Sequence, residues 1–299
     1  MTRHAMQRTG DHLEQSGICI LSLDGGGVRG LFTLLILKAL MSSINTERLK
    51  DGKLEAKPCD IFDLIGGTST GGIIAIMLGR LEMSVDECIT TYTRMFEKVF
   101  GKRGLPVNIF GKVKGRFDSI VLEECIADIL KERKLPEDEP LINDKGCKVA
   151  VCAVAAENSA TVVLRSYTST EALNNLPATI CQAVRATSAA TSFFEPVTIG
   201  PYKRNFVDGA LSANNPVDEI WNEAQNVWCT GDTELNDMLK CVISIGTGDP
   251  GTQPIAEGIV KLFSRTLVQM ATETQNTEHS ETIYRKASST IRKQTLLPL

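Results

Sequence analysis

Residues 61–78 read Ile61-Phe62-Asp63-Leu64-Ile65-Gly66-Gly67-Thr68-Ser69-Thr70-Gly71-Gly72-Ile73-Ile74-Ala75-Ile76-Met77-Leu78, an apolar run halted by glycines and then resumed. The spelling predicts a buried strand, a sharp turn and a helix over residues 69–78. Its centre, Gly67-Thr68-Ser69-Thr70-Gly71, has the pattern of a turn that presents a serine at the top of a strand. Such a turn strains the serine backbone and crowds the positions two residues to either side, so glycine suits 67 and 71. The helix then aims its first amides, Thr70 among them, at the serine oxygen, where they favour negative charge. A small-residue turn for close strand–helix packing has the same spelling, so the decision rests on what else the chain supplies.

Upstream, Ile18-Cys19-Ile20-Leu21-Ser22-Leu23 is a second buried-strand pattern, ending in Asp24-Gly25-Gly26-Gly27-Val28-Arg29-Gly30. Residues 31–44 continue as a helix that is apolar on nearly every face, which places it in the middle of the fold. Glycines at 25, 27 and 30 spell a dinucleotide-binding loop, with Glu47 as its ribose acid. That nucleotide reading needs the acid at the end of a second strand, and residues 45–57 are charged without a strand pattern. The favoured reading takes Gly25, Gly26 and Gly27 as a nest of backbone amides converging on an oxyanion, with Arg29 adding charge or fixing the loop. A glycine turn for close packing is the bland alternative.

Residues 85–99 and 119–130 have helical periodicity, with Ser84 and Asp118 as N-caps. Residues 147–154 and 161–167 read as strands. A helix is expected over 176–188, with Pro177 in its first turn. Phe206-Val207 runs into Asp208-Gly209-Ala210, another helix begins near Asn215, and residues 241–245 form a last strand. Strand and helix alternate, which predicts an α/β fold: a three-layer sandwich around a mostly parallel central sheet. Ligands in such sheets bind at the carboxyl ends of strands, where all three glycine turns lie. Three segments are expected: a polar tail over 1–17, a catalytic domain over 18–250 and a helical extension over 251–299.

The 299 residues carry 42% hydrophobic and 23% charged residues and a net charge of -4, so no global basic field exists to hold nucleic acid. Nine cysteines without a Cys-x-x-Cys pair read as reduced core thiols, which predicts a cytoplasmic protein, peripheral where it meets membranes. The polar start has no secretory pattern, and the run over 31–41 is too short to cross a bilayer.

A serine nucleophile needs a proton acceptor. The histidines are His4, His12 and His279, two in the polar N-terminal tail and one in a polar stretch near the C-terminus. Of these only His279 fits the usual order of serine, acid, histidine, and its surroundings lack a strand-end signal. The economical answer is a dyad in which Asp208, projecting from a strand end as Ser69 does, is the base. Its unperturbed pKa of about 3.9 is low for that task, and desolvation would raise it.

Asp24 to Gly30, Gly67 to Gly71 and Asp208-Gly209-Ala210, in that order, resemble the motifs of the patatin-like phospholipase family. Ala186-Thr187-Ser188-Ala189-Ala190, Asn214-Asn215-Pro216 and Ser244-Ile245-Gly246-Thr247-Gly248 extend the resemblance over roughly residues 18–250. Ala210 stands where many relatives have glycine. The resemblance implies the family's fold and a serine lipid acyl hydrolase acting on phospholipids, galactolipids or other glycerolipids, without histidine or calcium and with no cofactor. It implies Ser69 as nucleophile, Asp208 as proton acceptor and Gly25, Gly26 and Gly27 as the oxyanion hole. No Asp-x-Asp-x-Asp-Gly calcium loop occurs, in keeping with this.

The substrate would be a membrane or micellar glycerolipid. Residues 98–117 carry Lys98, Lys102, Arg103, Lys112, Lys114 and Arg116 without an acid, interleaved with Phe100, Phe110 and Phe117, and read as a peripheral membrane contact. A solvated loop held by a few aromatics is the competing view. The rival functions are the nucleotide-binding module built on Gly25 to Gly30 and the effector module of a longer signalling protein.

Overall fold

The computed structural model describes residues 17–100, 119–169, 175–190 and 194–248. Strand β1 (Ile18–Leu23) leads through a 3-10 turn, Gly27–Arg29, into α1 (Gly30–Lys50). After α2 (Pro58–Ile61) and β2 (Leu64–Thr68) comes α3 (Thr70–Ala75), prolonged by a π-helical turn over Ile76–Arg80. Next are α4 (Val85–Phe100), α5 (Ser119–Glu132), β3 (Lys148–Ala155), β4 (Thr161–Arg165) and α6 (Ile180–Thr187). The chain continues with β5 (Val197–Ile199), β6 (Arg204–Asp208), α7 (Ala210–Ala213), α8 (Val217–Trp228), α9 (Leu235–Met238) and β7 (Leu239–Ile245).

These seven strands form one sheet. Strand β1 lies between β2 and β7, parallel to both, and β2 is parallel to β3. On the far side β4 and β6 run antiparallel to β3, and β5 antiparallel to β6. The expected three-layer α/β sandwich is therefore present around a mixed sheet. The antiparallel pairings β3 with β4 and β5 with β6 follow from the short links 156–160 and 200–203, which can close a hairpin but not a crossover.

Alternate residues of the central strands feed two cores. Leu21, Leu23, Ile65, Val149 and Val151 pack under the helices that include α1, α3, α5 and α6. Ile18, Ile20, Leu64, Ala150 and Cys152 pack under Ile220 and Ala224 of α8. Burial on both faces explains why the strands read as unbroken apolar runs.

One consequence of the register sets up the site. Cys152 pairs with Thr68 of β2 on one edge and Val163 of β4 on the other, while Ala153 pairs with Val162 of β4 and Asp208 of β6. Strands β2 and β6 thus lie end to end along the same edge of β3. They run in opposite directions, so their carboxyl ends meet.

Three elements differ from their expectations. Helix α1 does not lie in the middle of the fold: Gly30, Thr33, Leu34, Leu37 and Met41 are buried, while Phe32, Leu35 and Ile36 are exposed. The sheet needs only one apolar stripe from a helix lying on it, and hydropathy alone does not say which stripe that is. Helix α6 starts at Ile180 rather than 176, because Thr179 and Gln182 form a reciprocal capping box that fixes the first turn after Pro177. The apolar run at Ile61 splits into a turn of helix and a strand that begins at Leu64. The Ser84 cap is present through a box with Glu87. The Asp118 cap, the tail over 1–16 and the helical extension over 251–299 lie outside the described residues.

Candidate active site

Ser69 sits between β2 and α3 with φ 53 and ψ -123, a backbone conformation that L-residues avoid and that costs about 1–3 kcal/mol. The glycines two residues away make the turn sterically feasible. A Cβ on Gly67 would strike the Gly71 carbonyl, and one on Gly71 would strike the Leu23 carbonyl at the end of β1.

The meeting of β2 and β6 brings Ser69 to Asp208. Ser69 Oγ donates a hydrogen bond to Asp208 Oδ2 at 2.8 Å, and Asp208 Oδ1 accepts from the Ala210 amide at 2.8 Å. Gly209 lets this turn lie flat on β3, since a Cβ there would strike the Cys152 carbonyl. Asp208 is buried, and burial pushes its pKa from 3.8 up to about 7, against the lowering effect of the Ala210 amide and the Ser69 hydroxyl. A carboxyl held there can take and return a proton near neutral pH.

The last residue of α6 and the segment that follows it hold both partners. Thr187 Oγ1 accepts from the Ser69 amide at 2.9 Å and donates to the Cys152 carbonyl at 2.7 Å. Two residues on, the Ala189 carbonyl accepts from the Asp208 amide at 3.0 Å. Thr187 was visible only as part of a recognisable block, with no signal of this role.

The glycine loop approaches the serine, and its three amides are not equivalent. The Gly25 amide donates to the Asn214 carbonyl at 2.9 Å, so it is not free to meet an oxyanion. This corrects the expectation for Gly25, whose part is to anchor the loop. Gly26 and Gly27 border the cavity beside Ser69. The Gly26 amide makes a long bond of 3.2 Å to Thr70 Oγ1, while the Gly27 and Thr70 amides have no acceptor among the described residues. Tyr92 donates to the Gly27 carbonyl at 2.6 Å and Arg29 to the Gly248 carbonyl at 3.1 Å, fixing the loop from both sides. Gly30 is where the Tyr92 hydroxyl leaves no room for a Cβ. Asp24, buried with Oδ1 unpartnered among the described residues, is pushed up to about 7 by burial.

Ser69, Asp208, Gly26, Gly27 and Thr70 open on a cavity of about 470 Å³ whose far walls are Ile73, Met95, Phe96, Val99, Leu122 and Phe194. The space accepts an apolar chain with one polar end at the serine. A larger cavity of about 650 Å³, lined by Arg48, Lys53, Asp63 and Lys240, lies at the other end of β1 beside Gly17 and has neither the serine nor the loop.

The nucleotide-loop reading loses its acid. Glu47 lies near the far end of α1, paired with Lys50 at 2.7 Å, and about 26 Å along the helix from Gly30. His4, His12 and His279 lie outside the described residues. So does the stretch 98–117 beyond Phe100, while Lys98 pairs with Asp128 at 3.0 Å. No group of three or more potential metal ligands occurs among the described residues.

A family model for patatin-like phospholipases matches residues 21–221. Calcium-independent phospholipase A2-gamma of Rattus norvegicus is 32% identical over 251 residues, covering 80% of this chain and 29% of that protein. Patatin-like protein 2 of Arabidopsis thaliana is 30% identical over 259 residues, covering 78% of this chain and 60% of that one. The cGAMP-activated phospholipase of Vibrio cholerae is 31% identical over 214 residues, covering 69% and 57%. This chain spans less than a third of the length of the phospholipase A2-gamma proteins it matches.

Proposed function

Since the chain belongs to the patatin-like phospholipase family, we propose that it hydrolyses fatty-acyl esters of glycerolipids through a dyad of Ser69 and Asp208. The observation that carries the reading is the 2.8 Å hydrogen bond from Ser69 Oγ to the buried Asp208 carboxylate at the mouth of an apolar cavity.

In this mechanism the acyl chain lies against Ile73, Phe96 and Leu122 with its ester carbonyl over Ser69. Asp208 takes the serine proton as Oγ attacks, and the carbonyl oxygen becomes an oxyanion facing the Gly27 and Thr70 amides, with Gly26 able to turn from Thr70 Oγ1. Each such donor contributes about 10²–10³ in rate. The protonated Asp208 then gives its proton to the departing alkoxide. A water that Asp208 deprotonates attacks the acyl-enzyme, and Asp208 returns that proton to Ser69 Oγ as the acyl–oxygen bond breaks and the fatty acid leaves.

Independence from calcium belongs to this proposal, supported by the printed name of the phospholipase A2-gamma relatives and by the absence of a calcium loop from the sequence. The test is product analysis across phospholipids, galactolipids and neutral glycerolipids with the parent, Ser69→Ala and Asp208→Asn. Release of fatty acid by the parent, lost in both variants, supports the dyad. Full turnover by either variant rejects it.

A further inference from the structure

The outer face of α1 changes character along its length. At the end next to the cavity, Phe32, Leu35 and Ile36, at the i, i+3, i+4 spacing of one stripe of α1, and Val28 in the 3-10 turn just before it are 49–65% exposed. Farther along, the exposed positions Ser42, Ser43, Thr46, Glu47 and Lys50 are polar, and Leu49 in the last turn is the one large apolar side chain exposed there. Val28 also lines the cavity, so the stripe continues its apolar wall out to the surface. On the Asp208 side of the mouth, Leu211, 43% exposed, follows the cavity-lining Ala210.

Over Gly27–Lys50 the helix is long and apolar enough by length and composition to cross a bilayer. Its role as the crossover between the paired strands β1 and β2, with Leu34 and Leu37 buried under it, ties both ends to one body. The remaining use for the outer stripe is shallow contact. We propose that the stripe Val28, Phe32, Leu35 and Ile36, with Leu211 opposite, inserts into the surface of a lipid bilayer and sets the cavity mouth at the headgroup boundary.

The occupant is a lipid surface because five of the nine exposed large apolar side chains among the described residues cluster at or next to the cavity-lining Val28 and Ala210, while the other four, Leu49, Leu54, Ile120 and Tyr202, are outside the stripe. The stripe gives way to polar residues within about 10 Å of helix, which fits an insertion depth of about 5–10 Å. A lipid lifted from the bilayer then meets apolar walls from Val28 to Ile73 without crossing water. The proposal rests on the acyl-hydrolase reading for its purpose, but the binding itself needs no catalysis.

The experiment measures partition onto vesicles of equimolar phosphatidylcholine and phosphatidylglycerol in a Ser69→Ala background, so that turnover plays no part. Phe32→Glu and Ile36→Glu, both exposed and outside the cavity lining, should each lower the partition coefficient by about ten-fold or more, as the loss of one inserted side chain requires. Leu54→Glu is the control: Leu54 is 85% exposed beyond the far end of α1 and should bind as the parent does. In the Ser69 protein the stripe variants should keep full hydrolysis of a short-chain soluble ester and lose hydrolysis of vesicle phospholipid. Unchanged partition of both stripe variants overturns the proposal. So does a parent that is a dimer in solution and a Phe32→Glu variant that is a monomer, which would assign the stripe to a second copy. Vesicle binding by the stripe with no ester hydrolysis of any kind would leave this surface standing and remove the proposed activity instead.

Discussion

Asp208→Asn separates the two consequences of burying a carboxyl beside the serine, because it removes the charge and keeps the shape. The asparagine side chain can still accept from the Ala210 amide and face Ser69 Oγ, so the change leaves the packing intact. In the parent, the rise of the Asp208 pKa from 3.8 to about 7 corresponds to about 4 kcal/mol of disfavoured ionisation, an upper bound set by burial. Between those values the folded state holds the proton and the unfolded state does not. The unfolded state therefore binds fewer protons, and stability falls as pH rises through that window. From about pH 5 to about pH 8 the parent should lose up to about 3 kcal/mol through this group, and the asparagine variant should not. Asp24, also raised to about 7 by burial, contributes equally to both proteins and cancels. Denaturant unfolding of both proteins at the two pH values gives the double difference directly. The variant should be inactive at either pH yet gain on the parent as pH rises. Parallel stability curves for the two proteins would refute the claim that Asp208 is desolvated in the fold.

Two further outcomes follow from the same geometry. The kcat/KM of the parent should climb about ten-fold per pH unit on the acid side and level off near 7, because only the ionised Asp208 accepts the serine proton. A profile that is flat down to the ordinary carboxylate range would contradict that role. Thr187→Val leaves the strained Ser69 amide without its acceptor, a loss of about 1–3 kcal/mol that should appear as a fall of about 10–100-fold in kcat with KM little changed. Thr187→Ser should restore most of it, and a variant valine enzyme that raises KM alone would make Thr187 a substrate contact rather than a positioning residue.

What the chain disclosed in advance was local. The turn at Ser69 depends on glycines two residues away, so its spelling and its geometry coincide, and β1 and β2 were legible because burial on both faces leaves unbroken apolar runs. Asp208 by itself looked like an ordinary aspartate before glycine, and the shortage of histidines, its place at a strand end and the family resemblance of Asp208-Gly209-Ala210 drew attention to it. The meeting of β2 and β6 on one edge of β3 is a matter of register among three strands, which no local pattern encodes. Thr187 reaches Ser69 across 118 residues of sequence, and its hydroxyl has no periodicity to betray it. The distinction between Gly25 and its neighbours depends on where the Asn214 carbonyl lies. The exposed side of α1 was misplaced because an all-round apolar helix gives no indication of which face the sheet will take.

The central claim is that Ser69 is a nucleophile activated by Asp208 and by no histidine. Its most direct measurement is covalent labelling by a fluorophosphonate, with the modified peptide located by mass spectrometry, in the parent, Ser69→Ala, Asp208→Asn and His279→Ala proteins. A single adduct on Ser69 is expected in the parent and in His279→Ala at the same rate, with none in Ser69→Ala and a greatly slowed reaction in Asp208→Asn. Labelling that persists without Ser69, or that depends on His279 and not on Asp208, would contradict the account.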